Sequence, residues 1–131
     1  MRVVATVVVV AGAAAAVAFA FDAARFFGVK EISAADLESL LRDWKGVVIV
    51  DVREPAEFAR GRIPGAVLMP LGGLPGSAAA LSADADVVTY CQKGHRSKVA
   101  AKRLMSRGFG KVRNLAGGIE AWRGPVDRGA P

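Results

Sequence analysis

Two short runs rich in β-branched residues and free of charge, Val47-Val48-Ile49-Val50 and Val87-Val88-Thr89-Tyr90, constrain this chain more than any other feature. A strand with one wet face alternates apolar and polar side chains. A short run without alternation suits a strand covered on both faces, as in a parallel sheet. Helical patterns lie around and between the runs. Ser33 precedes Ala34-Ala35-Asp36 in the S-x-x-D form of a helix start, and Leu37, Leu40, Leu41 and Trp44 recur at helical spacing up to Gly46. Pro55 and Phe58 predict a short helix that stops at Gly61. A short strand is expected at Ala66-Val67-Leu68-Met69, then a loop from Leu71 to Ala83 with one helical turn near Ser77–Leu81. Val99, Ala100, Leu104 and Met105 predict a helix over Ser97–Arg107 that ends at Gly108. Lys111-Val112-Arg113-Asn114-Leu115 reads as a last strand, Gly117-Gly118 opens a short helix through Ile119 and Trp122, and Gly124 to Pro131 reads as a frayed tail. The alternation predicts an α/β fold whose mostly parallel central sheet carries helices on both faces, with ligands at the carboxyl ends of its strands.

Cys91 lies at such an end, followed by Gln92-Lys93-Gly94-His95-Arg96-Ser97. A thiol at a strand end, followed by a loop that runs into a helix, receives backbone N–H groups and the positive helix end, which favour thiolate and attract an anion. Lys93, His95 and Arg96 add positive charge, and Gly94 permits the loop to curl around one point. A lone cysteine is commonly an inert core residue. The composition of this loop argues instead for a nucleophile that seeks anions.

Composition narrows the remaining classes. The chain has 131 residues, 53% of them hydrophobic, which fits one domain with a packed core. A single cysteine and a single histidine make a metal centre or an internal disulfide unexpected, and no cofactor or metal is expected. Positive charge is concentrated towards the C-terminus: residues 93–131 hold ten Lys/Arg against two Asp/Glu, net +8, whereas 31–92 carry five against nine, net −4. Part of the basic block surrounds the expected nucleophile. The basic residues are not interleaved with the stacking aromatics that single-strand binders need, so nucleic acid is not an expected partner.

The first 30 residues read differently. From Val3 to Phe21 there are 19 residues without charge. As a helix this run spans roughly 28 Å, close to the thickness of a bilayer core. We read residues 1–28 as a single-pass membrane anchor, with a secretory signal cleaved near Ala20 as the alternative: Ala18-Phe19-Ala20 has the small-x-small form of a cleavage site, and Arg2 is a minimal basic flank. Arg2 and the amino terminus on one side balance Arg25 and Lys30 on the other, which leaves the orientation open.

Loop length separates two chemistries that place a cysteine in such a cradle. Tyrosine phosphatases and related arsenate reductases have five residues between cysteine and arginine; this chain has four, Gln92 to His95. The smaller ring suits a terminal sulfur atom better than a tetrahedral phosphate. Cys91 to Ser97 resembles the active-site loop of the rhodanese family of sulfurtransferases. Asp51-Val52-Arg53-Glu54-Pro55-Ala56-Glu57-Phe58 with Gly61-Arg62-Ile63-Pro64-Gly65-Ala66 is similar to the family's first signature, and Gly117-Gly118-Ile119-Glu120-Ala121-Trp122 to its last. Arg62 departs from the histidine common in the family. The resemblance implies a three-layer rhodanese-like domain over residues 29–124, with 125–131 as a tail. It implies that Cys91 attacks a sulfane-sulfur donor such as thiosulfate, becomes a persulfide, and passes that sulfur to a thiophilic acceptor, with cyanide serving in vitro. In this reading the amides of Gln92 to Ser97 hold the outer sulfur, Lys93 and His95 recruit the anionic donor, and Arg96 either supports the loop or meets the donor's anionic end. His95 is not assigned as an obligatory base. A carrier that delivers persulfide to a protein partner is the alternative, and the implied partners are a small anionic donor, an unknown thiol or protein acceptor, and a membrane through residues 3–21. Asp51 and Arg53 form a candidate second layer, or an ion pair tying their loop to Glu57 or its neighbours. Phe58 and Trp122 are expected in the core, and Glu120 on a solvated helix.

Overall fold

The computed structural model describes residues 28–44 and 46–130, so the expectations for residues 1–27 lie outside the described part. Five strands are present: β1 (Lys30–Ile32), β2 (Val47–Asp51), β3 (Val67–Leu68), β4 (Asp86–Tyr90) and β5 (Val112–Leu115). They form one sheet in the order β1-β5-β4-β2-β3, with all four pairings parallel. Among the described residues three helices accompany them, α1 (Ala34–Asp43), α2 (Pro55–Arg60) and α3 (His95–Ser106), with 3-10 turns at Leu71–Gly73, Gly76–Ala80 and Gly118–Ala121. Among the described residues no helix is long and apolar enough to cross a membrane.

Side chains alternate across the sheet and feed two apolar clusters. Val50, Val87 and Val112 face α3 through Ala100, Ala101 and Leu104, together with Met69, Leu74 and Phe109. Ile49, Val88, Tyr90 and Leu115 face the other side, with Leu37 of α1, Ile63 and Trp122. The two uncharged runs without alternation are explained by this burial on both faces. Phe58 and Trp122 are buried, as expected.

The ends of the elements follow local chemistry. Ser33 Oγ accepts the Asp36 amide at 3.1 Å and caps α1. Pro55 occupies the first turn of α2, where Glu57 Oε1 accepts the Glu54 amide at 3.2 Å.

Three expectations need correction. First, β1 went unrecognised in the sequence, because a three-residue edge strand with only Ile32 buried shows no periodicity. Second, α3 begins at His95, two residues before the expected Ser97, because Gly94 makes the turn with a left-handed φ of +105°. Third, the segment after Gly124 is tied down rather than frayed. Arg62 and Asp127 exchange backbone hydrogen bonds of 2.9 and 3.0 Å, the Gly129 amide donates to Ala59 O at 2.9 Å, and Arg62 Nη1 donates to Gly129 O at 2.7 Å.

Candidate active site

Cys91 follows the last residue of β4, the central strand, and only 2% of it is exposed. Its Sγ accepts hydrogen bonds from the Gly94 amide at 3.1 Å, the Ser97 amide at 3.4 Å and the Ser97 hydroxyl at 3.3 Å. Burial alone pushes a thiol pKa up. Here the Ser97 hydroxyl and the amides of Ser97, Gly94 and Lys93 outweigh burial and hold the Cys91 thiol below its ordinary value. The loop therefore folds its donors onto the sulfur.

The loop is fixed from below and from both sides. Thr89 Oγ1 donates to Ser97 O at 3.0 Å, and Asn114 Nδ2 on β5 donates to Gly94 O at 3.1 Å. Asn114 is itself held by Glu31 of β1, whose Oε2 accepts at 3.1 Å, and Lys98 pairs with Glu31 Oε1 at 3.1 Å. On the other side, the Ile119 amide donates to Cys91 O at 2.9 Å and the Glu120 amide to Gln92 O at 3.2 Å. That approach requires Gly118: a Cβ there would lie 2.4 Å from Gln92 O and 2.6 Å from Cys91 O.

The charged residues separate into paired and free groups. Arg96 donates to both carboxylate oxygens of Glu57, at 2.8 and 2.9 Å, so it ties the loop to α2. This hydrogen bonding, against some opposing burial, holds the Glu57 carboxyl down to about 2 and raises the Arg96 guanidinium above its ordinary range. Lys93 and His95 are exposed, with neither in an ion pair among the described residues. Gly94 and Ser97 are buried against the sulfur, and Gln92 is half-buried.

Asp51 and Arg53 pair with each other rather than with Glu57. Asp51 Oδ2 accepts from Arg53 Nη2 at 2.7 Å, and Oδ1 accepts the Arg53 amide at 2.9 Å and Nε at 3.0 Å. The pair is buried, with Arg53 3% exposed, and burial is outweighed by Asp51 so that the guanidinium stays charged. Arg53 also reaches the end of α2, where Nη2 donates to Gly61 O at 2.6 Å, and the loop, where Nη1 makes a long bond of 3.4 Å to Gln92 Oε1.

The sequence reading gave no site role to Asn114, Glu31 or Gly118, and it offered Glu57 to Asp51 and Arg53 rather than to Arg96. The double glycine was the visible signal for Gly118, whereas Asn114, Glu31 and Glu57 meet partners from distant segments. Among the described residues no three His, Cys, Asp or Glu side chains gather as a metal ion would need.

Comparison with known proteins agrees with this geometry. The model of the rhodanese-like domain family matches residues 33–125. A sulfurtransferase of Allochromatium vinosum is 45% identical over 94 residues, which cover 72% of this chain and 88% of the relative. A thiosulfate sulfurtransferase of Stutzerimonas stutzeri is 42% identical over 78 residues, covering 60% and 72% respectively. Among solved structures, a rhodanese-like domain protein from Staphylococcus aureus superposes with a TM-score of 0.71 at 31% identity, covering 76% of this chain and 98% of that one.

Proposed function

This chain belongs to the rhodanese family, and on that premise we propose that it moves sulfane sulfur from a thiosulfate-type donor to a thiophilic acceptor through a persulfide on Cys91. The observation that carries the reading is the arrangement of one hydroxyl and two amide donors around Sγ at the carboxyl end of the central strand. Those donors stabilise the thiolate before reaction and a negative outer sulfur after it. The Cys91 thiolate attacks the outer sulfur of thiosulfate. The S–S bond of the donor breaks, its electron pair leaves with sulfite, and Cys91 carries the transferred sulfur as a persulfide anion. An acceptor nucleophile then takes that sulfur and Cys91 returns as thiolate, so the kinetics are ping-pong. Lys93 and His95, exposed on the loop, recruit the anionic donor, while Arg96 serves the loop through Glu57. The uncharged run at 3–21 supports residence at a membrane as a single-pass anchor, which is part of the same proposal.

The test compares the full chain with Cys91→Ser after incubation with thiosulfate. We expect thiocyanate formation on adding cyanide and a mass increase of one sulfur atom in the unmodified chain, with both absent from the variant. A mass increase without turnover would instead establish a carrier that awaits a protein acceptor. Neither signal in folded, reduced protein would overturn thiosulfate as donor.

A further inference from the structure

A polar cleft of about 260 Å³ lies beside the catalytic loop, lined in part by Arg53, Glu57, Arg60, Gly61, Gln92 and Arg128. It shares Gln92 with the loop, and Glu57 joins it to Arg96. Its charges are unequal in kind. Glu57 is matched by Arg96, and Arg53 by Asp51. Arg60 and Arg128 are exposed, and neither has a carboxylate within 4.0 Å among the described residues. The two unmatched guanidinium groups are brought to one place by backbone pairing, since the Gly129 amide donates to Ala59 O and Arg62 pairs with Asp127. Val126 also packs against Gly61, where an added Cβ would approach Val126 Cγ1 to 3.0 Å. At the back of the cleft Arg53 spends its Nη1 on a single long bond of 3.4 Å to Gln92, which leaves donor capacity on a guanidinium that is 3% exposed.

We propose that this cleft is a subsite for the carboxylate-bearing arm of a low-molecular-weight thiol that accepts the sulfur, with Arg60 and Arg128 determining that preference. The inference rests on the sulfur-transfer reading above and adds the chemical class of the acceptor. Two unmatched cations over a polar floor select an anion, and the volume suits one arm of a small molecule rather than a whole drug-sized ligand. Contiguity with Gln92 places such an arm next to the residue that follows Cys91. In the transfer step the acceptor thiol gives its proton to the persulfide anion, and the resulting thiolate attacks the outer sulfur. The bond from that sulfur to Cys91 breaks and its electron pair returns to Sγ. The products are the Cys91 thiolate and an acceptor persulfide that keeps the proton. Glu120, exposed and taking a 3.4 Å bond from Gln92 Nε2, is the carboxylate that opposes an anion here.

S-methylglutathione, an unreactive thioether with two carboxylates, and its dimethyl ester, which carries none, are the probes. In the full chain we expect S-methylglutathione to shift the backbone amide resonances of Gly61, Gln92 and Val126. An Arg60→Ala/Arg128→Ala double variant should bind it more weakly by roughly fivefold, about the worth of an exposed charge pair or two. The diester should bind the unmodified chain no better than S-methylglutathione binds the double variant, and Glu120→Gln should tighten binding of the dicarboxylate. In turnover, KM for glutathione should rise in the double variant while KM for 2-mercaptoethanol stays. Shifts that fall elsewhere, equal binding by the double variant, or equal binding of the diester would overturn the proposal. Absence of any Cys91 persulfide would instead sink the sulfur-transfer reading, and the resonance shifts would still decide the cleft.

Discussion

Gly117 and Gly118 adjoin in the chain, both at positive φ, yet substituting alanine at each should have different consequences. Their φ values are +76° and +65°, so either alanine pays the left-handed penalty of about 1 kcal/mol. At Gly117 the new Cβ meets the Ala121 Cβ at 2.9 Å, a side-chain contact at the start of a short turn. At Gly118 it meets backbone: Gln92 O at 2.4 Å, Gln92 C at 2.5 Å and Cys91 O at 2.6 Å. Ordinary contact begins near 3.4 Å, so the Gln92 peptide must retreat by about 1 Å. That retreat strains two hydrogen bonds, Ile119 N to Cys91 O and Glu120 N to Gln92 O, each worth about 1 kcal/mol. Gly118→Ala should therefore destabilise the fold by about 3 kcal/mol, and Gly117→Ala by about 1–2 kcal/mol. Displacing the peptide that follows Cys91 also moves the donors around the sulfur, and a misplacement near 1 Å costs roughly a hundredfold in rate. Urea unfolding measures the first effect. The rate of Cys91 alkylation by iodoacetamide, with sulfur turnover beside it, measures the second. The reasoning is refuted if the two variants, compared under conditions where both are folded, alkylate and turn over alike.

Two further perturbations test the electrostatics. Ser97→Ala removes the hydroxyl donor at 3.3 Å but leaves both amides, so the Cys91 titration should move up, seen as an alkylation–pH profile displaced to higher pH; an unmoved profile would deny the hydroxyl its part. The Glu57 carboxyl is depressed from 4.5 to about 2 by its hydrogen bonds with Arg96, so its stabilisation is complete above pH 4.5 and is lost as pH falls towards 2. Because Arg96 is 40% exposed and solvent screens the pair, we expect about 1–2 kcal/mol. Glu57→Gln should remove that part of the acid dependence from a urea titration, and an identical acid profile in both chains would contradict it.

The layout of the sheet was legible because burial on both faces leaves a mark within a few residues. Val47–Val50 and Val87–Tyr90 could not be half-wet strands, and Ser33 and Pro55 mark helix starts in the residue types themselves. The ring of donors around Cys91 was legible for the same reason, since Sγ is held by Gly94 and Ser97, within six residues of it. What escaped is what joins distant segments. Arg96 meets Glu57 across 39 positions, and Asn114 meets Glu31 across 83. No periodicity records such partners. β1 escaped because three residues with one buried side chain carry almost no pattern, although its Glu31 holds the asparagine that steadies Gly94. The segment after Gly124 looked frayed because its order comes from backbone bonds to residues 59 and 62, for which glycine, proline and charge are no guide.

Reactivity at Cys91 is a contest between two features of one environment. The thiol sits in the same apolar cluster as Val52, Met69 and Ala100, and without donors it would be one more inert core side chain. Burial also excludes the water that would weaken hydrogen bonds to the sulfur, so the amides of Gly94 and Ser97 and the Ser97 hydroxyl act at greater strength there than they would on the surface. Arg96 does not supply this stabilisation through direct contact, because its guanidinium is engaged by Glu57. Its place five residues after Cys91 instead sets the size of the ring and anchors that ring to α2. On the proposed reading, a loop stabilised by its own amides leaves the exposed side chains of Lys93, His95, Arg60 and Arg128 to meet anionic substrates without crowding the buried thiol.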